Sequence, residues 1–563
     1  MRIKFFKQLL IMLVLFKGQA FFSQDRAPID LGRISGNVQV ISQLYNEDSI
    51  IGAALPDFKM GLNSFANINY NRGDFAAGIR YESYLNPLSG YPTTFNGTGL
   101  GYRYLSWKKE DLSVTVGNFY EQFGSGMILR SYEERNLGID NAFDGIGVKY
   151  NPYKGIYLKG LVGKQRHQFN DGFENGNGII RGVDGEVSIN ELFDSAFVDS
   201  KLQVSLGGSF VSKYNNDNKT DEFILPKNVG AYGGRLNMRY GKFRFSGEYI
   251  YKENDPYPYD QDPDFNYIYK NGEGLLLNFG YSKKGLGIDF SAKHNDNMLW
   301  RSTNISTGPT DLMMGFIPAL TKQHTYNLAS TLYPYATNAQ GEIAFQADII
   351  YKIPKKTKLG GKYGTSVALN FATAYVPERT PLNDLDGARK SYKTNLFKMT
   401  DSLLVQDFNI EIKRKINKKL KTSFTYFNFI FEDRAILVAK HHEKIYAHIA
   451  VADVTVKLKS KHALRTEVQH LWTKQDQGNW AFIQLEYTIS PHWSFAILDQ
   501  YNYGNKEEAQ QIHYILGNVG YISGSHRFSV QYGRQRAGVF CVGGVCRAVP
   551  ASNGLSFTLT SSF

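Results

Sequence analysis

Residues 232–252 read YGGRLNMRYGKFRFSGEYIYK, and the fold follows from how this stretch alternates. Tyr232, Gly234, Leu236, Met238 and Tyr240 share one face of an extended chain, while Arg235, Asn237 and Arg239 share the other, because successive strand side chains point to opposite sides. After Gly241 the pattern resumes, with Phe243, Phe245, Gly247, Tyr249 and Tyr251 set against Arg244, Ser246, Glu248 and Lys252. Two arms of about ten residues, greasy on one face and wet on the other, suit a hairpin that crosses a lipid layer with its polar face toward water.

Such segments recur from about Ile34 onward, and the connections between them test the idea independently. A transmembrane barrel alternates short turns on one side with longer loops on the other. Working back from Phe563, the long connection Ala537 to Asn553 is followed by the short Ser523-Gly524-Ser525, the longer Gly504 to Gln511 and the short Ser490-Pro491-His492. Toward the N-terminus the short turns include Asn71-Arg72-Gly73, Lys108 to Asp111, Gly241 and Lys283-Lys284-Gly285. The alternation survives at Gly285 and Lys355 only if 294–341 is one external or lumen-filling segment. The reading is all-β: an antiparallel up-and-down transmembrane β-barrel of about 24 strands, within roughly 22–26. Segments 120–142, 294–341 and 376–401 are expected to fill a lumen too wide to stand empty.

The ends of the chain place this barrel. Arg2, Lys4 and Lys7 precede an apolar run from Leu9 to Phe16, followed by Gly18, Ala20 and Ser23. This layout predicts a signal peptide over 1–23, the run being too short to span a bilayer as a helix, and a single barrel domain over 24–563. Removing 1–23 lowers the formal charge from +12 to +8, because Arg2, Lys4, Lys7 and Lys17 are lost with no acid. Much of that charge sits in the short turns, so it does not indicate nucleic acid. At the other end Leu555, Phe557, Leu559 and the terminal Phe563 fall in one phase. That strand is expected to be read by barrel-assembly machinery, outer-membrane lipid being the other partner. The 14% aromatic content, with Tyr70, Tyr150, Tyr240, Tyr281 and Trp493 beside short turns, suits an interfacial girdle.

No catalytic pattern is present: the chain lacks G-x-S-x-G, H-E-x-x-H and a complete phosphate-binding loop, so no enzyme, cofactor or metal site is expected. His441, His442 and His448 have no zinc spacing, and Asp255 to Asp264 lacks the glycine and final glutamate of a calcium loop. Cys541 and Cys546 flank Val542-Gly543-Gly544-Val545; a Gly-Gly hairpin would set them face to face, and export would allow a disulfide. The distinctive stretch is Gly117 to Asn141, where Glu121, Arg130, Glu133, Glu134 and Arg135 mix with aromatics and glycines. It reads as a constriction or internal plug, or as a cover on the barrel mouth. With the inward-phase Arg235, Arg239, Arg244 and Glu248 it supplies the candidate lumen residues.

Gly117 to Asn141, the turn Leu359-Gly360-Gly361-Lys362-Tyr363-Gly364 and the loop from Cys541 to Pro550 together resemble a Bacteroidota outer-membrane barrel family of unknown function. The resemblance implies barrel fold and outer-membrane location, and little about substrate. A long plug domain before the first strand, as in TonB-dependent transporters, has no room ahead of Ile34, which disfavours TonB-coupled uptake. Two functions fit: a porin-like channel or transporter for hydrophilic solutes narrowed by inward loops, or a non-transporting barrel that anchors envelope partners in a surface or secretion assembly. Mixed lumen charge gives no ion preference.

Overall fold

The 232–252 hairpin forms as its alternation requires. Strand Asn228–Tyr240 pairs antiparallel with Phe243–Lys252, Tyr240 opposite Phe243 and Arg235 opposite Glu248, and Gly241 takes the left-handed backbone (φ 56) that a tight turn needs. The computed structural model describes residues 31–197, 199–216, 224–258, 267–303, 311–382, 389–432, 444–542 and 545–563. The expected signal peptide, His441, His442, most of the 255–264 loop and the side chains of Cys541 and Cys546 lie outside the described residues.

Neighbouring strands pair antiparallel all the way round, and the first, Arg33–Asn46, pairs with the last, Ser552–Ser562, with Val40 opposite Leu559. The sheet is thereby closed. It counts 26 strands, of which Tyr257–Pro258 and Tyr267–Ile268 are two-residue pieces outside the wall, leaving the 24-strand barrel that the alternation predicts. Phe563 exchanges two backbone hydrogen bonds with Gly36, at 3.0 Å each, sealing the seam at the short-turn rim.

The outward phase is apolar and exposed: Ile79, Leu105, Val116, Ile146, Val162, Leu206, Phe279 and Phe290 all face away from the barrel. Tyr70, Tyr150, Tyr240 and Trp493 ring the short-turn end, also exposed. No described helix is long and apolar enough to cross a membrane; the wall is built of strands. The hydrophobic core lies within the barrel, where Phe123, Met127, Ile128, Leu129, Trp300 and Met314 are buried together.

Two expectations change. Strands Ile156–Asn170 and Phe173–Ser188 meet through Asp171 and Gly172 alone, at the long-loop end. Their tip instead pairs in parallel with the strand Phe95–Lys109, Phe169 opposite Phe95, and register shifts at Lys164/Arg166 and Arg166/Gln168 bend it inward. Segment 376–401, of which 376–382 and 389–401 are described, does not fill the lumen. It continues the wall strands Thr365–Leu382 and Arg389–Lys415 as a paired hairpin, Arg379 opposite Thr394 and Leu382 opposite Ser391. Pro377, which cannot donate to the ladder, sits among the register shifts that bend this hairpin. It leans on Asp296, to which Thr394 Oγ1 donates at 2.8 Å and Tyr392 OH at 2.9 Å.

Candidate functional site

Charge inside this barrel divides by height. Toward the long-loop end the inward ionic groups are buried and spoken for. Arg80 and Glu82 come from strand Phe75–Leu85, Arg166 from the bulged tip and Asp140 from the inward segment 120–142. Arg166 donates to both Glu82 oxygens, at 2.9 and 2.7 Å, and to Asp140 Oδ2 at 2.8 Å. Arg80 Nε meets Glu82 at 2.5 Å, its Nη1 lies 3.1 Å from Glu133, and its Nη2 bonds Asp140. Tyr84 and Tyr120 donate to Glu82 and Asp140, at 2.8 and 2.9 Å. Arg166 and Glu82 are fully buried, so each charge depends on its partners. A side chain at Gly101 would begin 2.1 Å from the Glu82 carboxyl; only glycine leaves that space.

Of the residues anticipated on 120–142, Glu121 reaches the wall strands Phe143–Tyr153 and Ile156–Asn170. It ion-pairs with Lys149 at 2.9 Å and Lys159 at 3.0 Å. Burial alone would raise its carboxyl pKa, but those two lysines and the Gln122 amide hold it below the usual carboxylate range. Glu133 and Arg135 pair with each other at 2.6 Å, and Arg135 also donates to Gln39 at 2.7 Å and lies over the Phe65 ring. Arg130 lies over Tyr132 and Phe316. The Glu134 carboxylate accepts the Asn136 amide at 3.1 Å and so closes a local turn. Glu248 on the wall accepts the Ser125 amide at 2.8 Å. The sequence reading missed Arg80, Glu82 and Arg166, which single-strand patterns do not connect.

The described residues 297–303 and 311–340 cross the lumen beside this segment. Trp300 Nε1 donates to Ile128 O at 3.1 Å, the Arg130 amide to Met314 O at 2.7 Å and the Phe316 amide to Gly126 O at 2.9 Å. One end is held by Lys252, which donates to Leu299 O at 3.1 Å, and by Lys293, which donates to Pro318 O at 2.6 Å. Farther on, His324 meets Asp407 at 2.6 Å, the Leu328 amide donates to Gln469 at 3.0 Å and Arg536 donates to Thr331 O at 2.9 Å. The wall there is apolar on its inner face too: Phe427, Phe429, Phe431, Ile449 and Trp480 are buried against this segment.

Toward the short-turn end the inner wall is wet. Arg235 is still buried, paired with Asp184 at 2.6 Å and Glu186 at 3.0 Å. One turn of the ladder lower, Arg239 and Arg244 lie opposite each other and exposed, Arg244 bonding Asp289. A recess of about 510 Å³ opens between them, Tyr157, Gln203 and Asn278. The candidate set is therefore not one constriction: Glu121, Arg130, Glu133, Arg135 and Glu248 fix the plug, Arg235 braces the wall, and Arg239 and Arg244 line the open half. His448, weighed as a metal ligand, faces Tyr426 OH at 2.7 Å instead.

No curated protein matches the chain. Among solved structures it is similar to the copper transporter OprC (9% identity over 96% of this chain and 82% of that one, TM-score 0.41). It is also similar to the siderophore receptor PirA from Pseudomonas aeruginosa (10% identity, 96% and 81%, 0.40). A third is the P pilus usher (PapC) translocation pore (7% identity, 94% and 99%, 0.38). The family model that matches covers residues 4–563, and the chain belongs to that family of unknown function, DUF6029.

Proposed function

We propose that this chain is an outer-membrane barrel, exported by its N-terminal signal, that works as a porin-like channel or transporter for hydrophilic solutes and rests in a narrowed state. An origin in the Bacteroidota belongs to the same reading. The exposed apolar belt with its aromatic ring supports a membrane position, and the short-turn rim then faces the periplasm. The observation that carries the transport reading is the division of the lumen: two inward segments held by side-chain bonds fill the outer half, and a polar, solvent-exposed wall lines the other. A wall needed only for anchorage has no use for a wet half.

The test is planar-bilayer conductance of the full mature chain and of a variant in which 120–142 is replaced by a short Gly-Ser link. Small, flickering currents are expected from the first and larger, steadier ones from the second. Silence from both, with both barrels migrating as folded species, would overturn the reading in favour of a non-transporting anchor, for which co-purifying envelope proteins are the positive sign.

A further inference from the structure

We infer that the periplasmic mouth of the lumen is a binding vestibule for small multivalent anions, solutes bearing phosphate, sulfate or several carboxylates. The inference names a ligand class for the wet half of the lumen described above and rests on that reading.

Five lysines occupy the inward phase at the short-turn ends of four wall strands. They are Lys352 on Gly341–Ile353, Lys413 and Lys415 on Arg389–Lys415, Lys421 on Leu420–Glu432 and Lys457 on Lys444–Lys459. Their phase is fixed by side chains an even number of residues away along each strand. Asp348 bonds Asn370, which bonds Asn409, Asn409 and Ser423 meet Lys322 and Tyr326 of the crossing segment inside, and Val451 is buried in the core, whereas Ile412 and Phe424 in the alternate phase are exposed. Register places the lysines side by side: Ser366 lies opposite both Lys352 and Lys413, and Lys415 lies directly opposite Lys421.

All five are exposed. Among the described residues the one carboxylate in ion-pair range of them is Glu411, 2.8 Å from Lys413; Asp348, on the same face, is held by Gln346 and Asn370, and Asp453 by Arg465. The mouth is therefore a cationic arc whose nearby acids are largely engaged. Like charges directly opposite on one face of a sheet destabilise it, so Lys415 against Lys421 is an arrangement that a bound anion would relieve. A second like-charge pair, Arg239 against Arg244, faces the same mouth, there with Asp289 on Arg244. Phospholipid headgroups would be the ordinary partners of basic turns, but these five side chains are separated from lipid by the wall itself.

The test is isothermal titration of inorganic tripolyphosphate into the detergent-solubilised full chain. Binding that weakens with added salt is expected, with affinity lowered by roughly tenfold or more in the K352Q/K413Q/K415Q/K421Q/K457Q variant and retained in the corresponding Lys→Arg variant. Heat-modifiable migration checks that each is folded, and K415Q/K421Q serves if the larger set does not assemble. No binding by the parent chain, or equal binding by the Gln variant, overturns the inference. So does a Gln variant whose sole change is weaker flotation with phosphatidylglycerol vesicles, because the lysines would then read lipid. In bilayers under a salt gradient, an anion-selective reversal potential supports the vestibule and a cation-selective one overturns it. Silent bilayers count against the channel, while the titration still decides the vestibule.

Discussion

Arg166 shows what a single residue can hold in place. It touches Glu82 on the wall and Asp140 on the inward segment at once, with no exposed surface of its own. Removing one partner from a buried ionic cluster costs about 3–5 kcal/mol, so Arg166→Met should free 120–142 while the barrel stays folded, read as new protease cleavage within that segment. Glu121 supplies a pH dependence. Its carboxyl pKa is depressed in the folded chain, so the stabilisation it contributes is present above the ordinary carboxylate value and is lost as pH falls through the lowered one. Acid should therefore loosen the segment, raising conductance in the parent chain, and Glu121→Gln should abolish that acid-induced increment. Of this cluster only Glu133 was singled out beforehand; Asp140 merely lay within the stretch Gly117 to Asn141. Arg80, Glu82 and Arg166 look like ordinary inward polar residues, and they meet where register shifts fall on both strands, at Arg80/Tyr81 and around Arg166.

The strand Leu420–Glu432 carries the lesson at the next scale. Phe424 faces outward, yet Phe427, Phe429 and Phe431 are apolar in the opposite phase, and this breach of the greasy-out, wet-in rule marks where the crossing segment docks. Each Phe→Ala change in a packed core costs about 3–5 kcal/mol. Phe427→Ala with Phe429→Ala should therefore undock residues 320–335 and increase open-channel current without loss of the folded band. The hairpin formed by Gly538–Val542 and Val545–Val549 has Cys541 directly opposite Cys546. A disulfide is proposed there, and intact-mass measurement with and without reductant should differ by two hydrogens. Turn lengths were readable because strand direction must alternate in a closed wall; the exception at Asp171–Gly172 was not, because its tip is bent by long-range pairing with Phe95–Lys109.

For the whole molecule, strand number and closure were legible from alternation and turn parity alone, since both are properties of each hairpin repeated round a ring. What fills the ring was legible as sequence length and not as geometry: of 294–341, the described residues 297–303 and 311–340 enter the lumen, while the described parts of 376–401, of similar irregular appearance, extend the wall. Replacing 297–340 by a short loop should leave a barrel that still assembles but melts earlier and conducts more. The crossing segment is secured near Lys252 and Lys293 at one end and near Gln469 and Arg536 at the other, the first three on strands well apart in the ring and Arg536 just past the end of the strand His526–Gln535. A wide hoop one residue thick is stiff along its axis and soft across it, so a member tied to distant points of its circumference works as a strut. It keeps the outline round under lateral pressure from the bilayer, and any motion that opens the passage must also let the hoop become oval.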